Sequence, residues 1–417
     1  MRERRASHTG VPLMEHALSE ASLPRGFRFA ATACGLKKTG ALDLAIISSD
    51  VTASAAAVFT QNLVVAAPVL ISKENMRVSK GRMRAVVVNA GNANCATGEA
   101  GHAAAVRTVA EAAKRLGCIP QELFICSTGV IGVPLPLEKI LRALPVIARF
   151  RRPSARSFAE TSLAICTTDT RPKTAAASFK MAGKRIHFVG CAKGAGMIHP
   201  NMATMLAFVA TDAAISPSLL QRTLREITGR TFNAISVDGD TSTNDTLLVL
   251  ANGEAGAPSI KAGTSAHRAF TAALEEVCRS LALQIVADGE GAQRVIEIEV
   301  RNAKTEAAAK RIAETIATSP LVKTAFAGGD PNWGRIFAAA GRSGVKFDTA
   351  LVDIKMAGIS VLRHGQPIYF NERAASNKLL AEHVPLIVDL HAGKASARYW
   401  TCDFTAEYVR INASYRT

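Results

Sequence analysis

Apolar residues recur along this chain at two spacings, and each spacing marks a different element. Residues 101–116, GHAAAVRTVAEAAKRL, carry an apolar stripe at Ala104, Val106, Val109 and Ala113. The spacing predicts a helix, with Gly117 as its C-cap. Ser216 followed by Pro217 reads as an N-cap and first helical position, with Leu219, Leu220 and Ile227 facing inward. Phe270, Leu274, Val277, Leu281 and Ile285 predict a longer helix from about residue 266 to 286. It should stop at Asp288-Gly289, which leaves Glu290 just past a helix end. Arg294–Val300 alternates as a half-buried strand does, with Ile296, Ile298 and Val300 on one face and Glu297 and Glu299 on the other. Met205–Ala210 is continuously apolar, which predicts a strand covered on both faces. Ala85–Val88 reads as a short strand emptying into a Gly/Asn-rich loop, NAGNAN, and Leu123–Ile125 as a strand leading into a Thr-Gly turn. Leu386–Leu390 and Ala397–Phe404 complete the set of strands. Helices and strands interleaved in this way predict an α/β (α+β) protein. The segment RFRRPSARSF, around Pro153, is the nearest thing to a hinge. No internal repeat is visible.

Length and composition fit that class. At 417 residues and 48% hydrophobic, the chain can bury a large core and should form two lobes. No run reaches the roughly 18 uncharged apolar residues of a membrane span. The N-terminus is basic but has no apolar stretch of the secretory kind, and Glu3, Glu15 and Glu20 argue against a mitochondrial leader. The eight cysteines are scattered without CxxC spacing, so reduced thiols and a cytoplasmic setting are expected. No His/Cys cluster has metal-ligand spacing.

The net charge of +16 raises the question of nucleic acid. Residues 1–203 hold 27 Lys+Arg against 12 Asp+Glu, whereas residues 204–417 hold 23 against 22. The cations are single or paired, without interleaved aromatics, so an anionic small substrate is favoured over a nucleic acid.

The richest local signal is residues 192–206, AKGAGMIHPNMATML. Gly194 and Gly196 permit close backbone approach, Pro200 fixes a turn, and Thr204 sits at the mouth of a buried strand. Threonine needs a base beside it to act as a nucleophile. An N-terminal threonine supplies its own α-amine, which here requires a backbone cut. A strand-opening Thr is more often simply a β-former. STGVIG at 127–132 can aim a hydroxyl and a backbone N–H at one point, although an ordinary turn reads the same. DGDTSTND at 238–245 fails the EF-hand spacing and reads as a turn-rich loop near the site. Phosphate-loop, dinucleotide and nucleophile-elbow signatures are absent.

Nine motifs in order resemble the ornithine acetyltransferase family, also called the glutamate N-acetyltransferases of arginine biosynthesis. They are AVFTQNLVVAAPV, NAGNANCATG, STGVIG, TTDTRPK, KGAGMIHPNMATML, SVDGDTSTND, ADGEGA, GGDPNWGRI and YVRINASYRT. The resemblance implies an N-terminal-nucleophile-like fold of stacked β-sheets between helices. It implies self-cleavage between Ala203 and Thr204 into an α chain (1–203) and a β chain (204–417), which stay together as a heterotetramer of two of each. Carried over by position, Thr204 is the nucleophile and Thr128 and Gly129 form the oxyanion hole. Thr170, Lys193, Glu290, Asn412 and Thr417 bind substrate. The implied reaction moves an acetyl group from N-acetylornithine to glutamate through acetyl-Thr204. No cofactor, metal, nucleic acid or membrane is implied, and acetyl-CoA enters only as an optional further acetyl donor. The alternative enzyme reading is a related self-processed amidohydrolase or aminopeptidase, and the non-enzyme alternative a basic nucleic-acid-binding protein.

Overall fold

The computed structural model describes residues 19–199 and 205–414. The first half supplies β1 (Phe27–Thr32), β2 (Leu44–Phe59), α1 (Ala67–Val78), β3 (Arg82–Asn92), α2 (Gly98–Leu116), β4 (Leu123–Val130), α3 (Leu137–Arg149), α4 (Ala155–Ala164), β5 (Lys173–Met181) and β6 (Lys184–Lys193). Next come β7 (Leu206–Thr211), α5 (Pro217–Arg230), β8 (Ile235–Ser236), β9 (Thr246–Ala251), α6 (Ser265–Ala287), β10 (Val295–Ala303) and α7 (Glu306–Ala317). The remainder is α8 (Pro320–Ala327), α9 (Trp333–Gly341), β11 (Asp353–Met356), β12 (Ile359–Arg363), β13 (Gln366–Pro367), α10 (Glu372–Leu379), β14 (His383–Asp389), β15 (Ala395–Cys402) and α11 (Ala406–Ser414).

The strands form two sheets. One runs β4-β3-β2-β9-β7-β6-β5, with β1 added beside β2. The other runs β13-β12-β11-β14-β10-β15-β8. The first sheet doubles back on itself. β4 and β6 stand five positions apart in it, which would separate them by about 24 Å in a flat sheet at roughly 4.8 Å per strand. Yet Lys193 Nζ at the end of β6 lies 3.2 Å from Thr128 Oγ1 near the end of β4. The bend runs through the long strand β2, whose pairing with β3 shifts register between Ser48 and Ala53. Phe29, Val88 and Phe124 from one half thereby share a buried cluster with Phe208, Leu248 and Val189 from the other. Helices α2 and α3 cover the outside of the β1–β4 half, and α5 and α6 cover the outside of the other. Stacked strand layers between helices are the architecture the resemblance implied. The second sheet packs through β10 and β15 against α7, and α6 reaches it from the opposite layer.

Most of the predicted elements are present. Ser216 caps α5 by accepting from the Leu219 N–H, and all five apolar residues named for α6 are buried. β7 is buried along its whole length, as its continuous apolar run requires. Gly117 ends α2 in the left-handed conformation. Ala104, Val109 and Ala113 are buried as expected, but Val106 is 44% exposed, and Ala105, Thr108 and Ala112 join the inward face of α2. Small side chains suffice there because the helix lies close to β4 and α3. The expected NAGNAN loop is strand as far as Asn92, and the expected Thr-Gly turn is strand as far as Val130, because β3 and β4 pair in parallel through these residues. The segment around Pro153 joins α3 to α4 and is pinned by paired hydrogen bonds between Arg152 and Phe29, so it is a fixed connector and not a hinge.

Candidate active site

Where β4, β6 and the loop before β9 meet, a cleft of about 730 Å³ opens to solvent. Five of the residues expected to act together line it: Thr128, Gly129, Lys193, Glu290 and Asn412. They arrive from four separate parts of the chain. Thr128 and Gly129 come from the end of β4. Gly129 has φ +130°, and a Cβ there would sit 2.3 Å from the Gly91 carbonyl carbon on β3, so only glycine lets the strands run this close. Lys193 ends β6 and donates to Thr128 Oγ1. A hydroxyl and a cation therefore face the cleft as one unit. Glu290 follows the C-terminus of α6 as predicted, and its Oε2 accepts from Asn412 Nδ2 on α11 at 2.9 Å. A side chain at Gly196 would collide with the Glu290 carboxylate, its Cβ 2.4 Å from Oε2, so the glycine loop sets the space that carboxylate occupies.

Behind the cleft lies a charged cluster that the sequence reading missed. Lys173 Nζ is 2.5 Å from both Asp169 Oδ1 and Asp288 Oδ2, and the lysine side chain and both carboxylates are almost wholly buried. Asp169 also accepts from the Gly194 N–H at 2.6 Å. Burial alone would push the Asp169 carboxyl up, but Lys193, Lys173 and the Gly194 N–H together hold it below the usual carboxylate range. The cluster joins β5, the loop after Lys193 and the end of α6, and so fixes Lys193 relative to Glu290. Thr170 belongs to it. Its N–H donates to Asp288 at 3.1 Å and its hydroxyl to the same carboxylate. Thr170 is not among the residues lining the cleft, where Thr167 and Thr168 stand.

The loop from Ser236 to Asp245 does pack at the site, as the turn-rich reading of DGDTSTND expected. Asp238 accepts from the Met197 and Ile198 N–H groups at 2.5 and 2.8 Å, and burial pushes its carboxyl up. Asp245 accepts from the Met205 N–H, and Thr246 N donates to the Met205 carbonyl. One loop thus holds the chain on both sides of residues 200–204. His199 is fixed as well, through Glu314 at 3.2 Å. Thr204, its partner in the expected cleavage bond Ala203, and Thr417 lie outside the described residues. Among the described residues no cluster of side chains is arranged to hold a metal ion, and no helix is long and apolar enough to cross a membrane.

A cation beside a hydroxyl on one wall and a carboxylate on the other suits a small zwitterion. The model of the ArgJ family matches residues 28–417, and the chain belongs to that family. It is 46% identical over 406 residues to the arginine biosynthesis bifunctional protein ArgJ of Symbiobacterium thermophilum, covering 97% of this chain and 100% of that one. Its identity to the protein of the same name from Thermus thermophilus is 49% over 395 residues, covering 95% and 99%. A crystal structure of arginine biosynthesis bifunctional protein ArgJ from Bacillus halodurans matches with a TM-score of 0.50 at 45% identity. That match covers 51% of this chain and all of the solved one.

Proposed function

We propose that this chain is an acyltransferase of arginine biosynthesis that moves an acetyl group from N-acetylornithine to glutamate. The observation that carries the reading is the convergence of Thr128, Gly129, Lys193, Glu290 and Asn412 on one cleft, whose Lys193 pairs in the sheet with Leu206, two residues after the candidate nucleophile. In this reading the chain cuts itself between Ala203 and Thr204. The hydroxyl of Thr204 attacks the Ala203 carbonyl carbon, the C–N bond breaks, and water then releases the ester. That the solved Bacillus halodurans chain is matched whole by half of this one supports a protein that exists as two pieces.

In the mature enzyme the Thr204 amine takes the proton of its own hydroxyl, and the oxygen attacks the acetyl carbonyl. Thr128 and Gly129 receive the oxyanion, and Lys193, bonded to Thr128, adds positive charge where negative charge develops. Ornithine leaves with the proton. Glutamate then takes the acetyl group from Thr204 by the reverse steps, so the energy of the acyl bond is kept. Lys193 also meets an α-carboxylate, while Glu290, held by Asn412, meets the side-chain amine of ornithine. Acetyl-CoA is a possible second acetyl donor in this reading, and the relatives carry the name "bifunctional". The fragments pair as a heterotetramer, two of each.

The test is denaturing electrophoresis with N-terminal sequencing. The wild type should give two fragments, the second beginning Thr-Met-Leu, and Thr204→Ala should give one inactive chain. After incubation with N-acetylornithine alone, peptide mapping should find one acetyl group on Thr204. A fully active uncut protein, or the label on a lysine or cysteine, rejects the mechanism. Release of free acetate at the same rate without glutamate would favour the amidohydrolase instead.

A further inference from the structure

Asn244 lines the cleft, is almost wholly buried and takes no part in the reactions above. Its side-chain nitrogen donates to the Ala93 carbonyl at 2.7 Å and to the Ser127 carbonyl at 2.9 Å. A primary amide nitrogen carries two hydrogens, so both are used and none is left for a substrate. Its Oδ1 accepts from the Thr243 hydroxyl at 2.6 Å, which holds the amide the right way round. The loop that carries it is tied down in turn. Asn244 N donates to Ser242 Oγ, Thr60 Oγ1 to the Ser242 carbonyl and Asn62 Nδ2 to the Thr241 carbonyl. Asn244 can therefore act only through the two carbonyls that it grips.

Those carbonyls flank the irregular ends of β3 and β4. The register of the two strands shifts between Gly91 and Asn92, and Asn92 pairs with both Thr128 and Val130. A ladder interrupted in this way defines the backbone less tightly than a regular one. Gly129, at φ +130°, has no side chain to pack it in place. Ser127 Oγ donates to Asn89 Oδ1 at 2.6 Å, which anchors that side chain but not the tilt of the peptide that follows. Asn244 supplies the missing restraint from another segment, since Ala93 follows β3 and Ser127 precedes Thr128. The Ser127 carbonyl and the Thr128 nitrogen belong to one planar peptide unit. Holding its oxygen sets the plane from which Thr128 continues, and with it the directions of the Thr128 hydroxyl and the Gly129 N–H.

We propose that Asn244 is a positioning residue for the oxyanion site: its amide holds the Ser127 and Ala93 carbonyls so that the Thr128 hydroxyl and the Gly129 N–H point together into the cleft. This rests on Thr128 and Gly129 receiving the oxyanion. Asn244 follows residue 204 in the chain, whereas Ala93, Ser127, Thr128 and Gly129 precede it. In a protein cut before Thr204, one fragment would therefore aim the donors that the other carries.

The decisive variant is Asn244→Leu, which keeps much of the side-chain volume and removes both donors. An oxyanion site acts on the transition state and not on the bound ground state. Single-turnover acetylation by N-acetylornithine should therefore slow about 10²-fold. The Kd for ornithine, which rests on Lys193, Glu290 and Asn412, should stay within about twofold of the wild type. The readout that a merely structural role would not move is the preference for oxygen over sulfur. In N-thioacetylornithine the atom that gains charge is larger, on a longer bond, and a weaker hydrogen-bond acceptor, so well-aimed donors favour the oxygen substrate. Asn244→Leu should shrink that preference about tenfold. An unchanged preference overturns the proposal, whatever the loss of rate. Where Asn244→Leu fails to fold or stays uncut, Asn244→Ser is read in the same way, because it is smaller and lets water reach the two carbonyls from the cleft. If neither gives a folded, cut protein, Asn244 serves the fold or the maturation, and the proposal falls. Gly129→Ala keeps the two ideas apart. A wild-type preference in that variant rejects the oxyanion site itself, whereas a reduced one there beside an unchanged one in Asn244→Leu removes only the role of Asn244.

Discussion

Replacing Lys173 with methionine tests whether the charged cluster behind the cleft is as closely balanced as its geometry requires. Methionine fills much of the lysine volume, so the perturbation is mainly electrostatic. In the wild type one cation lies 2.5 Å from each of two carboxylates, all three almost wholly buried. Removing one member of a buried ion pair leaves charge without compensation and costs about 3–5 kcal/mol. With about 2.1 cal/mol/K of unfolding entropy per residue, a chain of 417 residues loses roughly 1 °C for each kcal/mol. The expected fall in melting temperature is therefore about 3–6 °C at pH 7.5. The sign with pH follows from the carboxyls. In the wild type Asp169 is held below its unfolded value, so its stabilisation is present above the unfolded pKa and is lost only as pH falls through the lower folded one. Without Lys173, burial raises one of the two carboxyls above its unfolded value, and the folded variant binds a proton that the unfolded chain does not. The deficit is then largest at pH 7.5 and shrinks towards pH 5. Differential scanning calorimetry of both proteins at the two pH values reads this directly. A fall of under 1 °C at pH 7.5, or a deficit that grows on acidification, refutes the reasoning.

Three further substitutions probe the cleft itself. Gly129→Ala places a Cβ 2.3 Å from the Gly91 carbonyl carbon at φ +130°, so β3 and β4 must part at the proposed oxyanion site. Its kcat should drop about 10²–10³-fold, and kcat within tenfold of wild type would contradict that role. Gly196→Ala pushes a methyl into the Glu290 carboxylate. It should raise KM for N-acetylornithine about tenfold with little change in melting temperature, and an unchanged KM would mean that Glu290 moves aside without consequence. Glu290→Gln removes the charge that pairs with an amine, so single-turnover rates should fall more in the ornithine half-reaction than in the glutamate half-reaction. Equal losses would assign Glu290 to shared chemistry or to the fold.

The long helices were legible in the sequence because a large one-sided burial leaves its period in the residues. Phe270, Leu274 and Leu281 of α6 could occupy no other face. Helix α2 is harder to read, since its inward face is mostly alanine with Thr108, Val109 and Leu116, and the branched Val106 lies on a side that is exposed. The ends of β3 and β4 were hidden for a related reason. Asn89 and Asn92 look like loop residues, yet Asn92 donates to the Val133 carbonyl and Asn89 bonds Ser127, and these partners cannot be seen from local pattern. At the site, Glu290 beyond a helix end was readable from the residues, and the grouping of Thr128, Lys193 and Asn412 came from resemblance alone. The cluster of Lys173 with Asp169 and Asp288 left no trace, because one carboxylate is four positions away and the other 115. Asp245 was passed over inside a loop whose composition says only that it turns.

The order of strands in the doubled sheet has a kinetic consequence. β9 and β7, which follow residue 204, are inserted between β2 and β6, which precede it. In a single chain all of these strands find one another by intramolecular collisions, at a rate independent of protein concentration. After a cut before Thr204 the same ladders join two molecules, and recovery from full denaturation becomes a second-order process in which neither fragment can complete the sheet alone. Dilution would then slow reassembly of the mature protein while leaving that of an uncut Thr204→Ala chain untouched. A protein cut at that point would fold once as a monomolecular object, and the cut would give up the means of repeating that journey.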